Sequence, residues 1–206
     1  PPETDFVMPP SRTEATPPIL KPRNVEMDEM DASKPNEVRR WWTVYAAAGR
    51  EKSLAAQLNR VGIPFYLPMA PRCFDNEDDA CRVSYFPLFS RYLFLYGHRD
   101  ELLTALSTGL ISRVLPVEDE DRLRGDLLNI HRVIGTGTAL TVEPCVAQGA
   151  EVHIEGGPLG GVKGFLLERS TGKRLLVPIT EIGQGVSISV EQVSPQMLQS
   201  VSAYNN

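Results

Sequence analysis

Trp41-Trp42-Thr43-Val44-Tyr45-Ala46 is a bulky, aromatic and β-branched run, and Gly49 closes it. Such residues favour a pleated, half-buried surface, so the run predicts a strand. From Arg50 the period changes. Leu54, Leu58 and Val61 recur at i, i+4 and i+7, one face of a helix, and Gly62 follows as its stop. This switch from period 2 to period 3.6 within some twenty residues marks the start of a packed α+β unit at Trp41.

Downstream, Phe65-Tyr66-Leu67 reads as a strand between Pro64 and Pro68. Arg72-Cys73-Phe74 and Cys81-Arg82-Val83 flank an acidic, turn-like cluster from Asp75 to Asp79, which predicts a hairpin or long loop. The most apolar stretch, Pro87 to Gly97, predicts a central strand over 91–96. A short helix over 100–106 stops at Gly109, a strand spans 111–115, and a helix spans 118–134 with Leu123, Leu127, Ile130 and Ile134 on one face. The order suits a split β-α-β layout, an antiparallel sheet with helices on one face.

Residues 1–40 differ from the rest. They hold 8 of the 17 prolines, a single aromatic, Phe6, and no apolar periodicity, which predicts a disordered tail. Residues 135–147 are rich in Gly and Thr and then irregular, and read as a linker. Residues 148–195 read as all-β: Val152 and Ile154 alternate with polar neighbours, as do Val186, Ile188 and Val190. Short strands with tight turns predict a small barrel, closed to remove its edges, and 196–206 is a second tail.

Composition narrows the function. The chain of 206 residues is 42% hydrophobic and 23% charged, the balance of a globular protein, and no apolar run reaches the length of a membrane span. No basic and apolar leader opens it, and three cysteines make no disulfide framework, so the expected setting is the reducing cytoplasm, with Cys73 and Cys81 read as free thiols and a cross-strand disulfide between them as the alternative. The formal charge of −5 makes bulk attraction to nucleic acid a poor driver. The motifs of nucleophile elbows and zinc proteases are missing, and His98, His131 and His153 fall in different elements. The acidic run at 75–79 lacks the spacing of a calcium loop. The chain therefore reads as a non-enzyme with no metal and no cofactor.

Gly156-Gly157-Pro158-Leu159-Gly160-Gly161-Val162-Lys163-Gly164 is the sharpest local signal. It lacks the Gly-Lys-Ser/Thr ending of a phosphate cradle and opens no helix. Glycines here serve a tight connection between strands. With Val152-His153-Ile154 before it, the segment resembles the KOW motif of SH3-like barrels, with Gly157, Pro158, Gly161 and Gly164 as its marks. The N-terminal pieces then fall in order: Trp41 to Tyr45, the helix from Arg50, Tyr66-Leu67-Pro68, Pro87 to Phe94, Thr108-Gly109-Leu110, Pro116-Val117, and Val142-Glu143-Pro144-Cys145. Across roughly residues 41–195 the chain resembles the NusG family of transcription elongation factors. The Pro-Leu-Phe and Val-Glu-Pro-Cys segments are closer to its specialised antiterminator paralogues of the RfaH and UpxY type. One departure stands out. The family writes Phe-Pro-Gly/Asn-Tyr before the central strand, where this chain has Phe89-Ser90-Arg91-Tyr92, which adds a charge beside the presumed partner surface.

The resemblance implies an NGN domain over 41–134 that binds the clamp helices of the largest subunit of RNA polymerase through Tyr45, Phe89, Tyr92 and Phe94. By pattern alone these four read equally as core. It also implies upstream DNA near Arg50, Lys52 and Arg60, which by pattern form a solvated helix face; with 11 basic and 12 acidic residues over 41–134, such contact would be local. The barrel would bridge to Rho or a small-subunit ribosomal protein. Two other readings are a ribosome- or RNA-associated KOW protein, which a basic barrel would favour, and a metal-dependent enzyme built on the acidic loop. Lys163, Arg169, Lys173 and Arg174 face six acids over 135–206, against the first of these.

Overall fold

The computed structural model describes residues 38–74, 82–145, 150–154, 156–157, 159–170 and 172–190. Residues 1–37 of the first expected tail, the second tail, the acidic run from Asp75 to Asp79, Cys81 and Pro158 lie outside them. Residues 38–40 are described and Arg40 already belongs to the first strand, which corrects the tail's boundary.

The opening strand β1 (Arg40–Ala46) leads into α1 (Glu51–Arg60), then β2 (Phe65–Tyr66), a hairpin of β3 (Met69–Phe74) and β4 (Arg82–Pro87), and β5 (Tyr92–Gly97). Next come α2 (Arg99–Leu106), β6 (Ile111–Leu115) and α3 (Glu120–Gly135). One antiparallel sheet has the order β2-β5-β1-β6, so the apolar run at β5 is internal, as its composition predicts. The β3–β4 hairpin is a separate two-stranded sheet, with Phe74 opposite Arg82.

Both faces of the larger sheet are covered. Val44, Ala46, Leu93 and Leu95 pack with Leu54 and Leu58 of α1 and Ala105 of α2. The opposite face gives Tyr66 and Phe94 to a cluster with Leu123, Leu127, Ile130 and Val133 of α3. This corrects the expectation of helices on one face. Strand β5 reads Tyr-Leu-Phe-Leu-Tyr without a polar position, so each face carries apolar surface that must leave water. Two positions on the expected helix faces also differ. Val61 is 56% exposed at the end of α1, because the helix stops at Arg60 and Ile63 turns inward in its place. Val133 is wholly buried, whereas Ile134 packs only at the margin of the cluster. Gly62, at φ +74°, makes the left-handed exit from α1 that an L-residue takes at a cost.

The remaining strands are β7 (Thr141–Pro144), β8 (Ala150–His153), β9 (Lys163–Arg169), β10 (Gly172–Ile179) and, after a 3-10 turn at Thr180–Ile182, β11 (Gln184–Ser189). They form an antiparallel sheet in the order β7-β11-β10-β9-β8. Part of the expected linker is thus a strand: Val142 lies opposite Val186. Thr-Val-Glu-Pro is too short to declare itself as a strand, and its pairing comes from β11. The expected closure is not found among the described residues, where β7 and β8 remain the two edges.

The second sheet is also not separate from the first unit. Helix α3 packs against β10 and the 3-10 turn, and Val177, Ile179 and Val186 belong to the same apolar cluster as Phe94 and Ile130. The Thr180 N–H donates to Asp126 Oδ2 at 2.9 Å. Burial pushes the Asp126 carboxyl above its ordinary range, and the Thr180 bond offsets part of that rise.

Edge strand β7 is tied down electrostatically. The Ser187 hydroxyl donates to Glu143, Arg169 lies 3.0 Å from that carboxylate and Arg174 3.6 Å. The Ser187 bond, then Arg169 and Arg174, hold the Glu143 pKa below its ordinary value, against a partial desolvation cost. A carboxylate depressed on folding stabilises above its unfolded pKa, and that contribution disappears as pH falls through the folded value. Amide protection in β7, measured relative to the intrinsic rate at each pH, should therefore fall on acidification earlier than in β10. Glu143→Gln should abolish that acid step; if β7 in the variant still responds to acid as before, Glu143 is not its origin.

Candidate partner-binding surface

One end of the β2-β5-β1-β6 sheet gathers aromatic and basic side chains. Antiparallel pairing sets Tyr45 of β1 opposite Tyr92 of β5 on one side and Arg113 of β6 on the other. The β1–β6 register shifts between Tyr45 and Ala46. The Tyr45 and Tyr92 rings meet edge to face, centroids 5.1 Å apart at 64°. Both are half-buried, and Tyr92 packs against the margin of the α3 cluster. Paired aromatics of this kind offer large contact area with little rotamer entropy to lose, the chemistry of an interface anchor.

The approach to β5 is strained. Arg91 has φ +70° and is the sole non-glycine residue with positive φ among the described residues. A left-handed backbone costs an L-residue about 1–2 kcal/mol. Several contacts fix it. The Arg91 N–H donates to Glu51 Oε1 at 2.7 Å, the Ala46 N–H donates to the Arg91 carbonyl at 2.7 Å, and Arg91 Nε donates to the Ala46 carbonyl at 3.0 Å. Glu51 is only 7% exposed, a carboxylate committed to the main chain at the first turn of α1. The Arg91 guanidinium lies 4.1 Å from the Tyr45 ring centroid, and that of Arg113 lies 5.7 Å from it. Lys52 of α1 and Arg72 of β3 sit at 5.0 and 5.2 Å from the ring of Phe86 on β4.

The residues singled out from the sequence are distributed unevenly. Tyr45 and Tyr92 come together at this surface. Phe89 and Phe94 do not: they are 1% and 0% exposed, within the cluster that includes α3, and offer no area to a partner. That corrects their assignment to the surface. The reason is cover: α3 packs over the middle of this sheet face, where Phe94 lies, while Tyr92 at the end of the same strand stays half-open. Arg50 and Lys52 are exposed at the start of α1, and Arg60 is exposed at its far end, roughly 12 Å from Lys52 at the helical rise. The three therefore make no single basic patch. In the glycine-rich turn, Gly157 has φ +65° and Gly161 φ +82°. Gly164 is a close-approach position, where a Cβ would stand 2.4 Å from the Leu176 carbonyl oxygen.

Arg91, Arg113 and Glu51 are the members of this surface that sequence reading did not assign to it. Arg91 left a trace, as the departure from Gly/Asn before the central strand. Arg113 and Glu51 left none, because only strand pairing brings them there. No protein-family model matches the chain, and no curated protein matches it. No helix among the described residues is long and apolar enough to cross a membrane.

Proposed function

We propose that this protein is a NusG-like transcription elongation or antitermination factor. Its first unit, read as an NGN domain, grips the clamp helices of RNA polymerase. Its second, read as a KOW domain of SH3-like kind, recruits another protein such as Rho or a small-subunit ribosomal protein, in the cytoplasm where transcription proceeds. The mechanism is binding and population shift, with no bond made or broken. The observation that carries the reading is the half-open Tyr45–Tyr92 pair, at the positions where the resemblance calls for the polymerase contact. The antiparallel sheet with flanking helices is compatible with it. The reading as an RNA-associated KOW protein loses support, since Arg169, Lys173 and Arg174 are all engaged with Glu143 or Glu168.

The test is the affinity of the full chain for core RNA polymerase. Tyr92→Ala is expected to weaken it by on the order of 2 kcal/mol, about thirtyfold, with a smaller change in melting midpoint than truncation of a fully buried ring because Tyr92 is only half-buried. Unchanged affinity with a large loss of stability would make Tyr92 a core residue and remove the surface from the mechanism.

A further inference from the structure

Arg91 stands where a glycine or asparagine would sit with less strain, and the fold holds it there from several directions. The result is two guanidiniums, Arg91 and Arg113, against one Tyr45 ring. Glu51 accepts from the Arg91 main-chain N–H, and neither guanidinium lies within ion-pair distance of a carboxylate among the described residues. The side chain of Arg91 donates to the Ala46 carbonyl and, at 3.4 Å, to Ser112 Oγ. Its remaining N–H groups, and those of Arg113, have no acceptor among the described residues.

We propose that Arg91 and Arg113 form a carboxylate-binding site at the rim of the tyrosine pair. The partner segment seated on Tyr45 and Tyr92 is then a protein segment that brings an Asp or Glu side chain to the two guanidiniums. Charge complementarity selects this occupant, since guanidinium forks match carboxylates in planarity and sign. A nucleic acid strand fits less well. Stacking of bases needs an open ring face, whereas Arg91 lies over Tyr45 and Tyr92 meets it edge to face. The proposal rests on the polymerase reading above, and it adds the chemistry of the polymerase element that is gripped.

The experiment compares full-length wild type, Arg91→Gly, Arg113→Gln and Tyr92→Ala for binding to core RNA polymerase at low and high salt. Arg91→Gly should lose about tenfold in affinity at low salt and much less at high salt, and should melt no lower than wild type because glycine accepts the backbone. Arg113→Gln, exposed and outside the strained turn, should show a smaller loss with the same salt dependence. If both arginine variants bind as wild type while Tyr92→Ala is weakened, the tyrosine surface stands and the carboxylate site is refuted. If wild type does not bind polymerase, the functional reading fails and the site fails with it. If the arginine variants instead lose binding to a labelled DNA or RNA oligonucleotide and keep polymerase affinity, the occupant is nucleic acid and the proposal is overturned.

Discussion

Phe94→Ala is expected to destabilise the folded chain by about 3–5 kcal/mol, the range for truncating a buried aromatic. Phe94 is fully buried between its strand neighbours, opposite Thr43 of β1 and Tyr66 of β2, in the cluster that α3 completes. Removing the ring leaves a void that strands on both sides and a helix across the face cannot all collapse to fill. The measurement is the denaturant midpoint of the full chain, with Phe94→Leu as a milder companion that keeps part of the volume. The same samples, under conditions where they remain folded, should bind polymerase with affinity close to wild type. A Phe94→Ala protein that is nearly as stable as wild type but has lost polymerase affinity would put Phe94 back on the surface and contradict the burial described above.

Gly164→Ala is the second change with a large expected cost. Gly164 lies on β9 opposite Val152 of β8, and an added Cβ would stand 2.4 Å from the Leu176 carbonyl oxygen and 3.1 Å from the Leu175 side chain. The first obstacle is backbone in the paired strand β10, which cannot rotate aside as a side chain can. The strands must part, so the cost falls at or beyond the upper end of the roughly 1–3 kcal/mol typical of overpacking. Amide protection in β8, β9 and β10 should fall, while β1 and β5 retain theirs. The packing of α3 on β10 would carry a lesser disturbance into the first sheet. Unchanged protection in β9 and β10 would mean that the strands separate freely, and that the glycine serves some other purpose.

The alternation of strand and helix was legible because it is written in consecutive residues. The run from Trp41 to Ala46 is β1 within a residue, Ile111 to Leu115 is β6, and the 118–134 periodicity is α3 within two residues. The flanks of the acidic cluster pair as the β3–β4 hairpin. The candidate surface was only half legible. Tyr45 and Tyr92 were marked by the motif and Arg91 by its departure from that motif, while Arg113 was not marked. Arg91 and Arg113 are 22 positions apart, and both reach Tyr45 through the pairing of β1 with β5 and β6.

Periodicity and local stops are properties of nearest neighbours along the chain, and these the amino-acid sequence determined by itself: which segments extend, which coil, and where Gly62 and Gly109 end the first two helices. Tertiary structure decided what covers each face. Tyr92 and Phe94 are two residues apart on the same side of β5, identical by period, yet one is half-open and the other fully buried because α3 packs over the middle of that face and leaves its end open. Thr141–Pro144 became a strand because β11 offers it hydrogen bonds, and the second sheet joined the first core because α3 presents apolar residues to both. Burial depends on which distant segment arrives, and the energy of that contact is shared between residues far apart in the chain, so no local pattern records it.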